Sequence, residues 1–553
     1  VSPENLSLSS ISDRLIKKIL FLLMMCSQLL SGQISEAEKS ALISFYQQTG
    51  GADWIIPWNL NDAPDRWYGV QISKNTVTAL RLNGNGLKGD IPSTLASLVN
   101  LRELDLGSNN LSGEVPAAIG SLTNLNKLDL SNNALSGNLS SSLPMHLEDL
   151  ALGDNRFDSV DVAGFLNFQT KLKHLDLCGF KLSEIPAAVS SLSGLESLDL
   201  GDNQITNDVS ALAGLTNLRR LSLSNNRLTA VPQELPASLT DLDLSKNPLS
   251  DYSNLRRLAR LETLNLSGNN LQQIPGEISA LTGLFHLDLS VNALSGNLSA
   301  LGNLQRLQQL YLHNNRFTAF PAELQSIKSL AILTLYSNQL SGSIPMQLPT
   351  VTDLRNNRYS LADIERFFVN SQQSPELYYS PQRYDVAGSA TVPEGEAFTL
   401  NQSLSSLAGY QFRWYRDYDQ FTGSTAEKLS FNKLKKEDFG TYNCEAFIRR
   451  RTLGYEIELS LFREPFDLYN ALGTKETTAE ERMYIYPNPA TELATIFSSR
   501  EKVLEYTLYD MSGKILTHKR NTIEINTSNL TPALYLLQVK TAAGMRSFKL
   551  IKK

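Results

Sequence analysis

Cysteine is nearly absent. The three thiols in 553 residues, Cys26, Cys178 and Cys444, lie too far apart for a CxxC redox pair, a cysteine-rich zinc site or a disulfide framework. Stability must come from packing. Histidine is as scarce, at five residues, and no HExxH, GxSxG, Walker or EF-hand loop occurs. The chain reads as a non-enzyme with no cofactor and no metal, although a site spread over distant residues lies beyond the reach of such motifs. Charge of one sign is also missing. Lys plus Arg is 50 against 56 for Asp plus Glu, a net charge of −6, which excludes a generic polyanion binder and with it a nucleic-acid partner. With 42% hydrophobic and 19% charged residues the composition is that of a folded chain, not a disordered one. Long hydrophobic runs are lacking too. The stretch from Ile19 to Leu30, preceded by Arg14, Lys17 and Lys18, is too short to span a bilayer and reads as a secretory signal peptide over 1–33. Leu23-Met24-Met25 before Cys26 lacks the small residues of a lipoprotein cleavage box. Export, with no transmembrane helix in the mature chain, is the expectation.

What the chain has in abundance is a repeat. Leu-x-Leu-x-x-Asn-x-Leu recurs from residue 80 to 359, with asparagines at 85, 109, 133, 155, 203, 226, 247, 269, 292, 315, 338 and 357. Phe180 occupies the one missing rung, and counting it gives thirteen turns. In Leu104-Asp105-Leu106 the leucines leave one face of a short strand and the aspartate the other. A single turn cannot bury its leucines alone, so stacked turns share a core and pair their strands into a parallel sheet lining the concave side of a solenoid. Each asparagine amide then turns inward and bonds backbone groups that would otherwise be buried unpaired. Phe180 cannot, so an aromatic filler at a locally irregular turn is expected there. Segments such as Leu111-Ser112-Gly113-Glu114-Val115-Pro116 predict a convex side of turns and short helical pieces. This stretch closely resembles leucine-rich repeats, and the resemblance implies a solenoid over 77–371.

A solenoid needs its ends covered. Ser35-Glu36-Ala37-Glu38 is a capping-box pattern ahead of Leu42, Phe45 and Tyr46 on a helix, and Trp54, Trp58 and Trp67 follow closely. Residues 34–76 resemble the cap that precedes plant-type leucine-rich repeats. That cap's cysteine pair is missing, so aromatic burial has to replace it.

Beyond the repeat, Phe412-Arg413-Trp414-Tyr415 and Asp438-Phe439-Gly440-Thr441-Tyr442-Asn443-Cys444 resemble the core tryptophan and tyrosine corner of an immunoglobulin-like sandwich, assigned to 375–464. Gln402 stands where that fold's partner cysteine is expected, so Cys444 should be an unpaired core thiol. Residues 465–482 read as a polar linker. Tyr486-Pro487-Asn488-Pro489, Asp510-Met511-Ser512-Gly513-Lys514 and the terminal Lys549-Leu550-Ile551-Lys552 over 483–553 resemble the C-terminal sorting domain of the type IX secretion system of Bacteroidetes. Ala533 replaces that family's usual glycine. The resemblance implies engagement with the type IX machinery, passage across the outer membrane, loss of this domain, and surface attachment or release.

The predicted fold class is thus an α/β leucine-rich repeat solenoid followed by two small all-β domains. On its concave face Asp105, Asp129, Asp176, Asp199, Asp243 and Asp288 form an acidic row, read as the ordinary Leu-Asp-Leu form of the repeat rather than as an ion site. Near the C-terminal end Phe285, His286, Tyr311, His313 and Tyr336 take exposed positions on three consecutive turns, a candidate ligand-binding patch for an extracellular protein or glycan. His174 is read as a surface residue, and Arg449-Arg450-Arg451 as a solvated loop. The function expected is that of a secreted or cell-surface recognition or adhesion protein. An accessory or enzyme acting on extracellular polymers, or a structural surface protein, is the alternative.

Overall fold

The computed structural model describes residues 34–552 except 138, 140–142, 158–161, 372–375, 405, 418–419, 453, 472–482, 487, 489, 491–492, 499–500 and 512–513. The signal peptide and most of the linker expected from the sequence lie outside the described residues. The chain packs as two units, one of residues up to Asn315 with Ala322–Ile332, the other of Arg316–Pro321 with Leu333 onward.

Fifteen strands in sequential order make up the repeat sheet: one per rung, with Val70–Ser73 added at the start and Glu376–Tyr378 at the end. Val70–Ser73 is antiparallel to Thr76–Arg81, after which the strands pair in parallel through to Gln309–Tyr311. Register is set by the leucines. Leu80, Leu104, Leu128, Leu150, Leu175, Leu198, Leu221, Leu242, Leu264, Leu287 and Leu310 are successive partners. None of them exceeds 3% exposure, so slipping the register by one residue would turn the whole column out to solvent. Short 3₁₀ helices such as Ser93–Ser97, Ala117–Ser121 and Gly276–Ala280 return the chain, each after a proline and each burying one apolar residue.

The asparagines pair the backbone as expected. Asn133 Oδ1 accepts from Leu111 N at 2.9 Å, and its Nδ2 donates to Leu106 O, Leu130 O and Ser131 O at 3.0–3.1 Å, tying one turn to the turn before it. At the rung without an amide the Phe180 ring packs on Phe157, centroids 5.7 Å apart. The ladder also has a rung that the Leu-x-Leu-x-x-Asn frame does not contain. Gln382, fully buried, accepts from Asn357 N and Tyr359 N and donates to Leu354 O and Tyr379 O.

At the N-terminal end Ser35 and Glu38 form both halves of the capping box on the helix Glu36–Gln48. Glu38 Oε1 also accepts from Val77 N at 3.0 Å, fastening the helix to the first repeat strand. Trp58 stacks between Tyr46 and Trp67, with Trp54 edge-on to it.

In the second unit the sheet after the repeat holds seven strands, from Gln382–Tyr384 to Phe466–Asn470. Trp414 and Cys444 are fully buried in its core, and Tyr442 Oη donates to Asp438 O at 2.5 Å. Cys444 is unpaired, and Gln402 Nε2 donates to its sulfur at 3.2 Å. Burial pushes the thiol up to about 11 against the pull of Gln402. Two boundaries differ from those expected at 375 and 464. Glu376–Tyr378 extends the repeat sheet beside Val351–Asp353, and Phe466–Asn470 pairs with Gly388–Val392, so the start of the expected linker is sheet. Arg449-Arg450-Arg451 is no loop either. It lies in the strand Gly440–Thr452, with Arg449 paired to Glu458 and Arg450 to Glu365.

The last domain has a three-stranded sheet, Met483–Tyr486, Leu493–Ser498 and Glu524–Asn526, and a four-stranded one closed by Ala533–Thr541 and Gly544–Lys552. Asn488, from the Tyr-Pro-Asn-Pro motif, donates to Lys549 O at 2.7 Å and accepts from Ile551 N at 2.8 Å, pinning the closing strand.

Candidate recognition surface

The open face of the repeat sheet is built from the residues between and beside the strand leucines. The acidic row has backbone work there. Asp129 Oδ1 accepts from Ser131 N at 2.9 Å, Asp176 from Cys178 N, Asp199 from Gly201 N, Asp243 from Ser245 N and Asp288 from Ser290 N, each at 2.8 Å. Asn265 makes the same bond to Ser267 N at 3.0 Å, so the bond does not require a charge, and Ala151 and Tyr311 fill the same strand position without it. Among the described residues no group of three or more His, Cys, Asp or Glu side chains could hold a metal ion.

Crowding these carboxylates has an electrostatic consequence. Burial, opposed by the Cys178 N–H and reinforced by Asp199 and Asp154, pushes the Asp176 carboxyl up to about 7 from an ordinary 3.8. A raised folded-state pKa means that between these values folding takes up a proton, so stability falls as pH rises through that window and the full desolvation penalty remains above it. Asp176→Asn keeps the acceptor oxygen. The variant is expected to exceed the parent in stability by about 1–3 kcal/mol at pH 8 and to match it near pH 4. Urea unfolding at the two pH values checks this, and an equal difference at both would contradict it.

Five residues on this surface are expected from the sequence to form a ligand patch. Phe285 is 39% exposed at the start of the strand His286–Asp288. His286 and Tyr311 are half-buried, with ring centroids 5.0 Å apart, and both approach Gln309 Oε1: His286 Nδ1 at 3.0 Å and the Tyr311 hydroxyl, which donates, at 3.3 Å. His313 lies 6.3 Å from Tyr311 in an edge-on contact. It is buried at 8% exposure, not exposed as the periodicity implied. Tyr336 is buried too, at 7%, and its hydroxyl donates to Glu524 Oε1 at 2.6 Å. Both follow the second strand leucine directly. At most other rungs that position holds glycine or serine, Asn83, Cys178 and Arg355 being the exceptions; at Gly153 a Cβ would come within 2.5 Å of Asp176 Oδ1. Strand parity says which face such a side chain leaves from, not what covers it.

Sequence reasoning missed the depression beside this stripe. A cavity of about 300 Å³ runs across the middle strands, lined by Asp199, Arg220, Asp241, Asp243, Asn265 and, at its end, His286. The alternation of charge signs at these strand positions was the available signal.

Known proteins share these features. A leucine-rich repeat model matches residues 75–135, 145–205 and 237–294, a two-copy leucine-rich repeat model matches 193–237, and the secretion system C-terminal sorting domain matches 484–553. A probable inactive receptor kinase of Arabidopsis thaliana is 38% identical over 95 residues, 17% of this chain, and the match spans only 14% of the kinase's length. Two similar solved structures are bacterial. One is an internalin of Listeria monocytogenes, at 21% identity and TM-score 0.44, covering 56% of this chain and 90% of its own. The other is a leucine-rich repeat protein of Leptospira interrogans, at 31% identity and TM-score 0.44, covering 53% and 75%. No helix of the described residues is long and apolar enough to cross a membrane. The register of leucines, the asparagine ladder and the matched C-terminal segment together identify leucine-rich repeats within residues 75–294 and a type IX secretion sorting domain over 484–553.

Proposed function

We propose that the protein is an exported recognition protein that binds an extracellular protein or glycan through the open, concave face of its repeats, with Phe285, His286 and Tyr311 as the contact stripe. The observation that carries this reading is the ring-to-ring contact of His286 and Tyr311 beside an exposed Phe285, at the end of a polar depression. Clustered aromatics supply large contact area at low conformational entropy, and the polar floor supplies orientation. The mechanism is binding without turnover. In the same reading 1–33 directs passage to the periplasm, 375–464 is an immunoglobulin-like spacer or second binder, and the sorting domain leaves the chain at the surface, where the repeats remain attached or are released.

The test is a screen of the full chain against arrays of glycans and of cell-surface proteins, beside a Phe285→Ala, Tyr311→Ala double variant of matched melting temperature. At least a tenfold loss of affinity in the variant is expected, the scale of truncating a hot spot. Unchanged binding would refute the stripe.

A further inference from the structure

A second cavity lies on the same unit at the other end of the repeat sheet. Its volume is about 610 Å³, within the range of small-molecule sites, and it opens where the hairpin Val70–Arg81 meets the next two repeat strands. Four cations line it, Lys74, Arg81, Arg102 and Lys127, against two carboxylates, Glu103 and Asp149. Glu103 is already engaged. Glu103 bridges Arg81 at 2.5 Å and Lys127 at 3.0 Å, and hydrogen bonding from Arg81 holds its carboxyl below the usual range. Asp149 lies 3.5 Å from His174 Nε2. Lys74 and Arg102 are exposed, and neither makes an ion pair among the described residues. Lys74 is also fixed in place. With Asn75 it forms a two-residue hairpin turn in which both have positive φ, 52° and 60°, the geometry of a tight type I′ connection that favours glycine or asparagine over lysine.

The rest of the lining narrows the ligand class. Among the described residues no aromatic ring borders the cavity, and Ala79 is its one apolar side chain. Hydroxyls and amides make up the remainder, including Ser73, Thr78, Asn124 and Asn126. Such a wall pairs with many hydroxyl groups and gives apolar side chains no place to dock. From this geometry we infer a binding site for a short acidic oligosaccharide, whose carboxylates are met by Lys74 and Arg102 and whose hydroxyls are met by the amide and hydroxyl wall. The site is separate from the aromatic stripe and does not depend on it.

Trigalacturonate is a suitable probe, with a neutral galactose trisaccharide as its control, titrated calorimetrically into the full chain. Saturable binding of the uronate is expected, weakening as salt rises from 20 to about 300 mM, with no binding of the neutral sugar. Lys74→Gly is the decisive variant because it suits the turn better than lysine and keeps the fold intact. It should lower affinity at least tenfold with no loss of melting temperature, and Arg102→Gln should do likewise. Equal binding of the neutral sugar, no binding of the uronate, or affinity unmoved by Lys74→Gly would each overturn the assignment.

Discussion

Asn226→Ala is expected to destabilise the protein by about 3–5 kcal/mol, because one amide serves four backbone groups in the interior. Asn226 Oδ1 accepts from Ile205 N at 2.8 Å, and Nδ2 donates to Leu200 O at 2.9 Å and to Leu223 O and Ser224 O at 3.1 Å. The residue is 7% exposed, so water does not readily replace these bonds. A buried N–H or C=O left unsatisfied costs about 1–3 kcal/mol, and alanine leaves the Ile205 donor and at least one carbonyl in that condition. The amide also spans two turns, since Leu200 and Ile205 belong to the preceding rung, so the loss should loosen both. Urea denaturation of the full chain measures the effect, and a change under 1 kcal/mol would show that the ladder is incidental to stability.

Trp58→Ala should have a comparable effect at the N-terminal cap, about 3–5 kcal/mol. Trp58 stacks on Trp67 at 4.9 Å and on Tyr46 at 5.5 Å, meets Trp54 edge-on at 5.0 Å, and is 4% exposed. Its Nε1 donates to Tyr68 O at 2.9 Å. Alanine leaves a ring-sized void that the neighbouring rings cannot close without leaving their own partners, since Trp54 Nε1 is held by Thr49 O and Trp67 Nε1 by Asn59 O. The aromatic cluster is expected to hold together this segment, which contains no cysteine. Thermal unfolding should show an early loss of near-ultraviolet ellipticity in the variant, and an unchanged melting curve would contradict that role.

How much of this was legible depended on how local each feature is. The strand leucines, the ladder asparagines and the capping box of Ser35 and Glu38 repeat or close within a few residues, so their spacing alone carries the geometry. Gln402 beside Cys444 was legible because position in a known core pattern predicts contact. Gln382 was not, since its amide stands one methylene farther from the backbone and outside the Leu-x-Leu frame, although it falls 25 residues after Asn357. The boundaries near 375 and 464 were missed because strand pairing decides them, and pairing is a long-range property. The burial of Tyr336 could not be read at all. Its partner Glu524 is 188 residues away in sequence.

The central claim is that partner recognition falls on the open face of the repeats at the aromatic stripe. Hydrogen exchange of the full chain, measured with and without the partner that the array screen identifies, tests this most directly. Protection concentrated at residues 284–290 and 307–313 is the predicted result. Protection confined to the strands between 440 and 463, or to the 3₁₀ segments on the opposite side of the repeats, would contradict it.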